Sequence, residues 1–201
     1  MQYRLSCGLA DARYTQFYDA ARLDDADKRR VRQTPALDRR LDWRVSRALK
    51  QQMDLPVLSL SHSAGAAAVL SGTTGIRAGV DMEYLRPRAF AALADWVASE
   101  AERQYLAHHA WCVEDFYTWW TLKEALLKAA HLVFPADMVR VGWQWQADGQ
   151  CSLQVNGQGD WHGCTVKLAE QWIASCVWQG QATLVWQPWT PFGAKEILQL
   201  W

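Results

Sequence analysis

The chain has 201 residues and a mass of 22.9 kDa; half of its residues are apolar, 21% are charged, and the formal net charge is zero. Such a chain can build one substantial core or two small ones, which excludes a disordered polyampholyte. No apolar run approaches the roughly 18 residues of a membrane span, and Met1-Gln2-Tyr3-Arg4-Leu5-Ser6 lacks a signal-peptide pattern, so a cytoplasmic protein with no membrane partner is expected.

Tyr3 to Leu9 reads as an edge strand, and Asp11-Ala12 opens a short helix. A longer helix is expected over 36–52, where Leu37, Leu41, Val45, Ala48 and Leu49 recur at helical spacing. Pro56 stops any continuation. Val57 to Leu60 begins a strand that ends at His62, and Ala66 to Ser71 is its antiparallel neighbour. Gly72 to Gly75 then turns the chain into a strand from Ile76 to Met82.

After Pro87 come helices at Phe90 to Val97 and Ser99 to His108, the second opened by a Ser99/Glu102 capping box. Val113 to Ala130 is the longest helix. Strands follow at 139–146, 151–155, 164–169 and 173–178, with Asp148-Gly149 as a hairpin turn. Residues 188–201 form an appendage with no assigned place. Eight of the thirteen tryptophans lie after residue 140; Trp143 and Trp145, at strand spacing, should fill a sheet core or face a neighbouring element. The five cysteines are scattered and without a C-x-x-C pair, so they read as small hydrophobes in a reducing compartment and not as zinc ligands.

The zero net charge hides an uneven distribution. Residues 22–50 hold ten Lys/Arg against five Asp, so this segment carries +5. It is either a solvated helix face or a basic surface for a polyanion, such as phosphates or an acidic protein. A neutral chain without a nucleic-acid motif disfavours DNA or RNA.

Three short segments carry the chemistry. The strand ending Gly79-Val80-Asp81-Met82-Glu83 places two carboxylates at i and i+2, on one face. In Trp120-Thr121-Leu122-Lys123-Glu124-Ala125-Leu126-Leu127-Lys128, Glu124 and Lys128 share a helix face. Alone, that pair is ordinary surface chemistry worth about 0.2–0.5 kcal/mol. Together, three carboxylates beside a lysine suit a hard divalent cation carrying phosphate oxygens. The third segment is Ser59-Leu60-Ser61-His62-Ser63-Ala64-Gly65.

In this order and spacing the segments resemble the 4'-phosphopantetheinyl transferases of the surfactin-synthetase-activating type, over roughly residues 20–180. That family shows S-H-S, then G-[IV]-D-x-E, then W-[ST]-x-K-E-[AS]-x-x-K; Ser61-His62-Ser63, Gly79 to Glu83 and Trp120 to Lys128 fit all three. Two departures stand out. Ser59 lies where the family often has Asn, and the usual G-K-P stretch is missing, so contacts to the adenine end of the coenzyme do not carry over.

The resemblance implies an α+β fold of two similar α/β lobes related by a pseudo-twofold, with the active site in the cleft between them. The lobes would be 1–76 and 77–187, followed by the appendage 188–201. It also implies a magnesium-dependent transfer of the 4'-phosphopantetheine arm of coenzyme A to a serine of an apo carrier protein, releasing 3',5'-ADP. Asp81, Glu83 and Glu124 would hold Mg2+, and Lys128 would meet the pyrophosphate. Glu124 would also be the general base for the carrier serine, acting through a water. Ser61 and His62 would contact the coenzyme, with Arg39 and Arg47 near its 3'-phosphate and Trp120 packed under the site. The partner would be a carrier protein with an acidic helix beside its modified serine, and the enzyme a monomer. Two rivals use the same residues differently: a magnesium-dependent phosphohydrolase, and a non-catalytic carrier-binding module.

Overall fold

The computed structural model describes residues 3–190, 192 and 195–201. The first part of the chain forms β1 (Tyr3–Ala10), α1 (Asp25–Gln33), α2 (Leu41–Lys50), β2 (Val57–Ser63), β3 (Ala66–Gly72) and β4 (Ala78–Tyr84). Three helices follow, α3 (Phe90–Val97), α4 (Glu100–His108) and α5 (Val113–Ala130). The remaining strands are β5 (Val141–Trp145), β6 (Cys151–Val155), β7 (Gln158–Leu168), β8 (Trp172–Gln179), β9 (Ala182–Pro188) and β10 (Lys195–Leu200).

Two sheets organise these elements, one in the order β2-β3-β1-β9, the other in the order β4-β8-β7-β6-β5 with β10 added on β7. The expected α+β class holds. Alternation along the strands explains the layering, because successive side chains leave on opposite faces. From the first sheet Leu5, Cys7, Leu9, Ala68 and Leu70 meet Ala78, Val80, Met82, Val166 and Cys176 of the second, so the sheets pack face to face. On the outer face of the first sheet, Ala10, Ala67 and Val69 cover Val45, Ala48 and Leu49 of α2. On the outer face of the second, Ile173 and Val177 cover Trp119, Leu122, Ala125 and Leu126 of α5.

Several elements differ from the sequence reading. The helix expected over 36–52 is broken into a 3₁₀ turn, Pro35–Arg39, and α2. Arg40 between them is extended (φ −75°, ψ 132°), and its guanidinium reaches Asp42 at 2.7 Å while Asp42 accepts from the Trp43 N–H. Helix α1 was not foreseen; Val31 is its one large apolar residue, and it is anchored by Asp27 to Arg47 and Lys50, both at 2.8 Å. Residues 182–187, grouped by sequence with the second lobe, lie in β9, parallel to β1 of the first sheet. Most of the appendage is likewise structured, since β10 runs antiparallel to β7 and Trp201 stacks on Trp143. Of the cysteines, Cys7, Cys164 and Cys176 are buried as expected, whereas Cys112 is exposed.

Candidate active site

The site forms where β4 and β2, the edge strands of the two sheets, meet beside α5. Gly79 sets the distance. A Cβ at this position would lie 2.1 Å from the Ala125 carbonyl oxygen and 2.9 Å from the Ala129 nitrogen, so only glycine lets β4 press against the α5 backbone. Asp81 and Glu83 follow Gly79 on the same strand face, which brings them to Glu124 and Lys128 of α5.

Three alternate serines of β2 join the two edges. Ser59 Oγ accepts from the Val80 N–H at 3.1 Å, and Ser61 Oγ donates to Asp81 Oδ1 at 2.7 Å. Ser63 Oγ donates to Glu83 Oε2 at 2.9 Å and accepts from the Tyr84 N–H at 3.1 Å. Serine hydroxyls thus satisfy edge-strand amides that the sheet leaves unpaired, and two of them orient carboxylates. Of the three serines the sequence gives a role to Ser61 alone, contact with the coenzyme; the i, i+2, i+4 spacing of Ser59, Ser61 and Ser63 was the available signal for the seam.

Lys128 Nζ donates to Asp81 Oδ1 at 2.8 Å and to the Val80 carbonyl at 3.1 Å. Asp81 Oδ2 is buried and has no hydrogen-bond partner among the described residues. Burial, then the Asp81 charge, pushes the Glu124 carboxyl up to about 7; Glu83 adds to this and Lys128 opposes it. Burial and the Asp81 charge raise Glu83 too, while Ser63, Arg88 and Arg86 pull it back. Among the described residues, Lys128 is the cation hydrogen-bonded to these carboxylates, while Arg86 and Arg88 act on Glu83 through their charge.

A hard cation fits this donor set. Its residues supply carboxylate oxygens, one of them orphaned, and the carboxyls of Glu124 and Glu83 are raised first by burial and then by the Asp81 charge, a repulsion that a cation would relieve. Among the described residues, no three His, Cys, Asp or Glu side chains already close round a single point.

The remaining predicted residues do not all join the cluster. His62 Nδ1 lies 3.3 Å from Asp42 Oδ2, and burial holds its imidazole below the ordinary value against the pull of Asp42. Arg47 is buried, bonded to Asp27 and set 3.7 Å over the Trp43 ring; it acts on His62 only through its charge. Arg39 ends the 3₁₀ turn and is exposed. Trp120 is half-buried, stacked on Phe116 and edge-on to Phe134. The basic run is also partly spent within the fold: Lys50 pairs with Asp24 and Asp27, and Arg40 with Asp42.

Sequence reasoning missed the other charge on α5. Lys123 is buried and donates to Glu102 Oε2 at 2.8 Å and the Val141 carbonyl at 2.6 Å. Glu102, foreseen as a capping-box residue, also accepts from the Ser99 and Trp143 N–H groups. No local pattern marks Lys123 as buried.

Fold and sequence motifs together bring three carboxylates and a lysine to the place where the two sheet edges meet α5. A sequence model of the 4'-phosphopantetheinyl transferase superfamily matches residues 77–177, just over half of the chain, and takes in both β4 and α5. The chain belongs to the 4'-phosphopantetheinyl transferase superfamily, and its general chemistry is that of a phosphopantetheinyl-type transferase. No curated protein matches it. Among the described residues, no helix is long and apolar enough to cross a membrane.

Proposed function

We propose that this protein transfers the 4'-phosphopantetheine arm of coenzyme A to a serine hydroxyl of an apo carrier protein, in the manner of the surfactin-synthetase-activating type. The observation that carries this is the convergence of Asp81, Glu83, Glu124 and Lys128 through the close approach at Gly79, inside the segment that matches the superfamily. The division into lobes near residue 76 belongs to the same proposal.

In the step, the serine oxygen attacks the β-phosphorus of the coenzyme pyrophosphate. A new P–O bond forms to the serine, the P–O bond to the leaving group breaks, and 3',5'-ADP departs with the pyrophosphate electrons. Catalysis of this kind rests on positioning and on neutralising charge over the phosphoryl oxygens. Asp81, Glu83 and Glu124 would hold magnesium, which supplies that neutralisation when bound. Lys128, now on Asp81, is placed to turn to a phosphate oxygen as a point charge. Glu124, with a value of about 7, is matched to taking the serine proton near neutral pH, directly or through a water, and passing it to solvent. Its roles as ligand and base compete, since a bound cation lowers its basicity. His62 donates to a coenzyme phosphate, with Ser61, Arg39 and Arg47 as its neighbours in the family pattern.

Incubating the protein with coenzyme A, magnesium and a panel of apo fatty-acid, polyketide and peptide carriers, read by intact mass, tests the reading. One phosphopantetheine added to a carrier serine is the expected result. Coenzyme A consumed without any acceptor indicates a phosphohydrolase, and carrier binding without mass gain indicates a binding module.

A further inference from the structure

The outer face of the first sheet changes character past the end of α2. Alternate residues of β1 and β3 share this face, and beneath α2 they are apolar: Ala10, Ala67 and Val69 cover Val45, Ala48 and Leu49. Helix α2 stops at Lys50, while the strands run on. Further along the face, Ser6 and Ser71 stand opposite each other across β1 and β3. Arg4 and Thr73 come next, joined by the Thr73 N–H on the Arg4 carbonyl at 3.2 Å.

A cavity of about 240 Å³ opens over this polar stretch. Its floor is Ser6 and Ser71, the loop that follows α2 gives one wall through Met53, Asp54 and Leu55, and Gln187 and Trp189 close another side. Gly8 shapes that end. A Cβ there would lie 2.8 Å from Met53 Cε and 3.2 Å from Trp189 Nε1, so the missing side chain lets both draw in over the strand. Trp189 is held by its N–H on the Leu9 carbonyl at 2.7 Å and by the Tyr14 ring, edge-on at 5.9 Å.

The fold does not use all the polar groups gathered here. Ser71 Oγ donates to the Ser6 carbonyl at 3.3 Å, but the buried Ser6 Oγ has no hydrogen-bond partner among the described residues. Arg4 and Asp54 line the same cavity with opposite charges. Among the described residues, neither side chain forms an ion pair or a hydrogen bond, with the other or with a third group. Nearby opposite charges elsewhere have closed on each other, as Arg13 has on Asp11 and Arg40 on Asp42.

Two unlike charges held apart on one cavity suit a ligand that carries both counter-charges. A guanidinium fork matches a carboxylate, and a carboxylate takes an ammonium. The volume falls below the roughly 300–1,000 Å³ of sites for drug-sized ligands, which selects a small molecule. Met53, Leu55 and Trp189 offer apolar surface to a hydrophobic side chain.

We infer that this cavity binds a free hydrophobic α-amino acid, with its carboxylate on Arg4, its ammonium on Asp54 and its side chain against Met53 and Trp189. The cavity shares no residue with the carboxylate cluster, so the amino acid is a second ligand outside the proposed transfer reaction. The end of a peptide has only one of the two charges beside its last side chain, which separates that source from a free amino acid.

The test uses L-leucine, L-leucinamide and N-acetyl-L-leucine as probes. Saturation-transfer NMR titrations follow them on wild type, Arg4→Gln and Asp54→Asn, each checked for native melting. Wild type should bind L-leucine with a Kd of about 1 mM or tighter. The amide and the acetyl derivative should bind about tenfold more weakly, since each lacks one charge-assisted bond. Arg4→Gln should weaken L-leucine about tenfold and move the leucinamide constant by less than about twofold. Asp54→Asn should weaken L-leucine similarly and spare N-acetyl-L-leucine. If Arg4→Gln does not fold, Arg4→Lys, which keeps the charge and loses the fork, should weaken L-leucine about threefold and leave leucinamide unchanged. No binding of L-leucine up to about 20 mM overturns the inference. So does L-leucine binding that both variants leave unchanged, or a derivative that binds as tightly as L-leucine. Displacement of L-leucine by coenzyme A overturns it as well, because the cavity would then belong to the coenzyme.

Discussion

Helix α5 carries two charged regions that began one residue apart in sequence and ended in opposite conditions. Lys123 is buried and fully answered: Glu102 balances its charge, and both Glu102 oxygens have donors. Glu124, on the neighbouring face, lies in a cluster with Asp81 and Glu83, where Lys128 bonds Asp81 and acts on Glu124 only through its charge. Buried charge that serves the fold is neutralised within the chain. The charge of the candidate site is not balanced in this way: burial first, and then the Asp81 charge, raise the Glu124 carboxyl to about 7.

Breaking the balanced pair should have the largest effect on stability. Lys123→Met strands the Glu102 carboxylate, at a cost of about 3–5 kcal/mol in a denaturant titration. Adding Glu102→Leu should recover only part of this, because the Ser99 and Trp143 N–H groups then lose their acceptor. A double variant as stable as wild type would show that the pair does not tie α5 to α4 and β5.

Gly79→Ala sharpens the comparison from the other side. The new methyl meets backbone atoms of α5, which cannot yield by changing rotamer, so overpacking should cost about 1–3 kcal/mol. Coenzyme turnover should fall further than stability does, since β4 and α5 separate at the carboxylates. Normal turnover in a folded Gly79→Ala protein would contradict this placement.

Glu124→Gln should stabilise the apo protein at pH 8, by on the order of 2 kcal/mol. Folded Glu124 keeps its proton up to about pH 7, whereas the unfolded side chain loses it near the model value of 4.5. The folded state therefore binds more protons between these values, and stability falls as pH rises through about 7. Raised Glu83 acts in the same direction. Thermal melts of wild type and Glu124→Gln from pH 5 to pH 8 should diverge upward in pH; parallel curves would remove the carboxylate crowding.

The smallest effect is expected at His62. Burial lowers its value, so the imidazole is mostly neutral at pH 7 in the apo protein, and a phosphate beside it should draw a proton. Calorimetry of coenzyme binding in buffers of different ionisation enthalpy should show an uptake of less than one proton, lost in His62→Gln. Identical uptake in both proteins would take His62 away from the phosphates.

The meeting of these four residues was legible because it rests on residue type at fixed spacing: Asp81 and Glu83 on a strand, Glu124 and Lys128 on a helix. The capping box at Ser99 and the extents of α3 and α5 were legible for the same local reason. What escaped depends on partners distant in sequence. Helix α1 has almost no apolar stripe and is held by Arg47 and Lys50. Strand β9 is assigned by pairing with β1, nearly the whole chain away, and nothing in Ala182 to Pro188 says which sheet it joins. The ion pair of Arg47 with Asp27, twenty residues earlier in the chain, had no local signal either.

The most direct test of the proposed transfer site is the transfer rate of Asp81→Ala and Glu124→Ala at saturating coenzyme A, carrier and magnesium, read by intact mass beside a melting curve. The account predicts a loss of at least about a hundredfold in each, with melting temperatures equal to or above wild type. Near-normal turnover in either variant would contradict it.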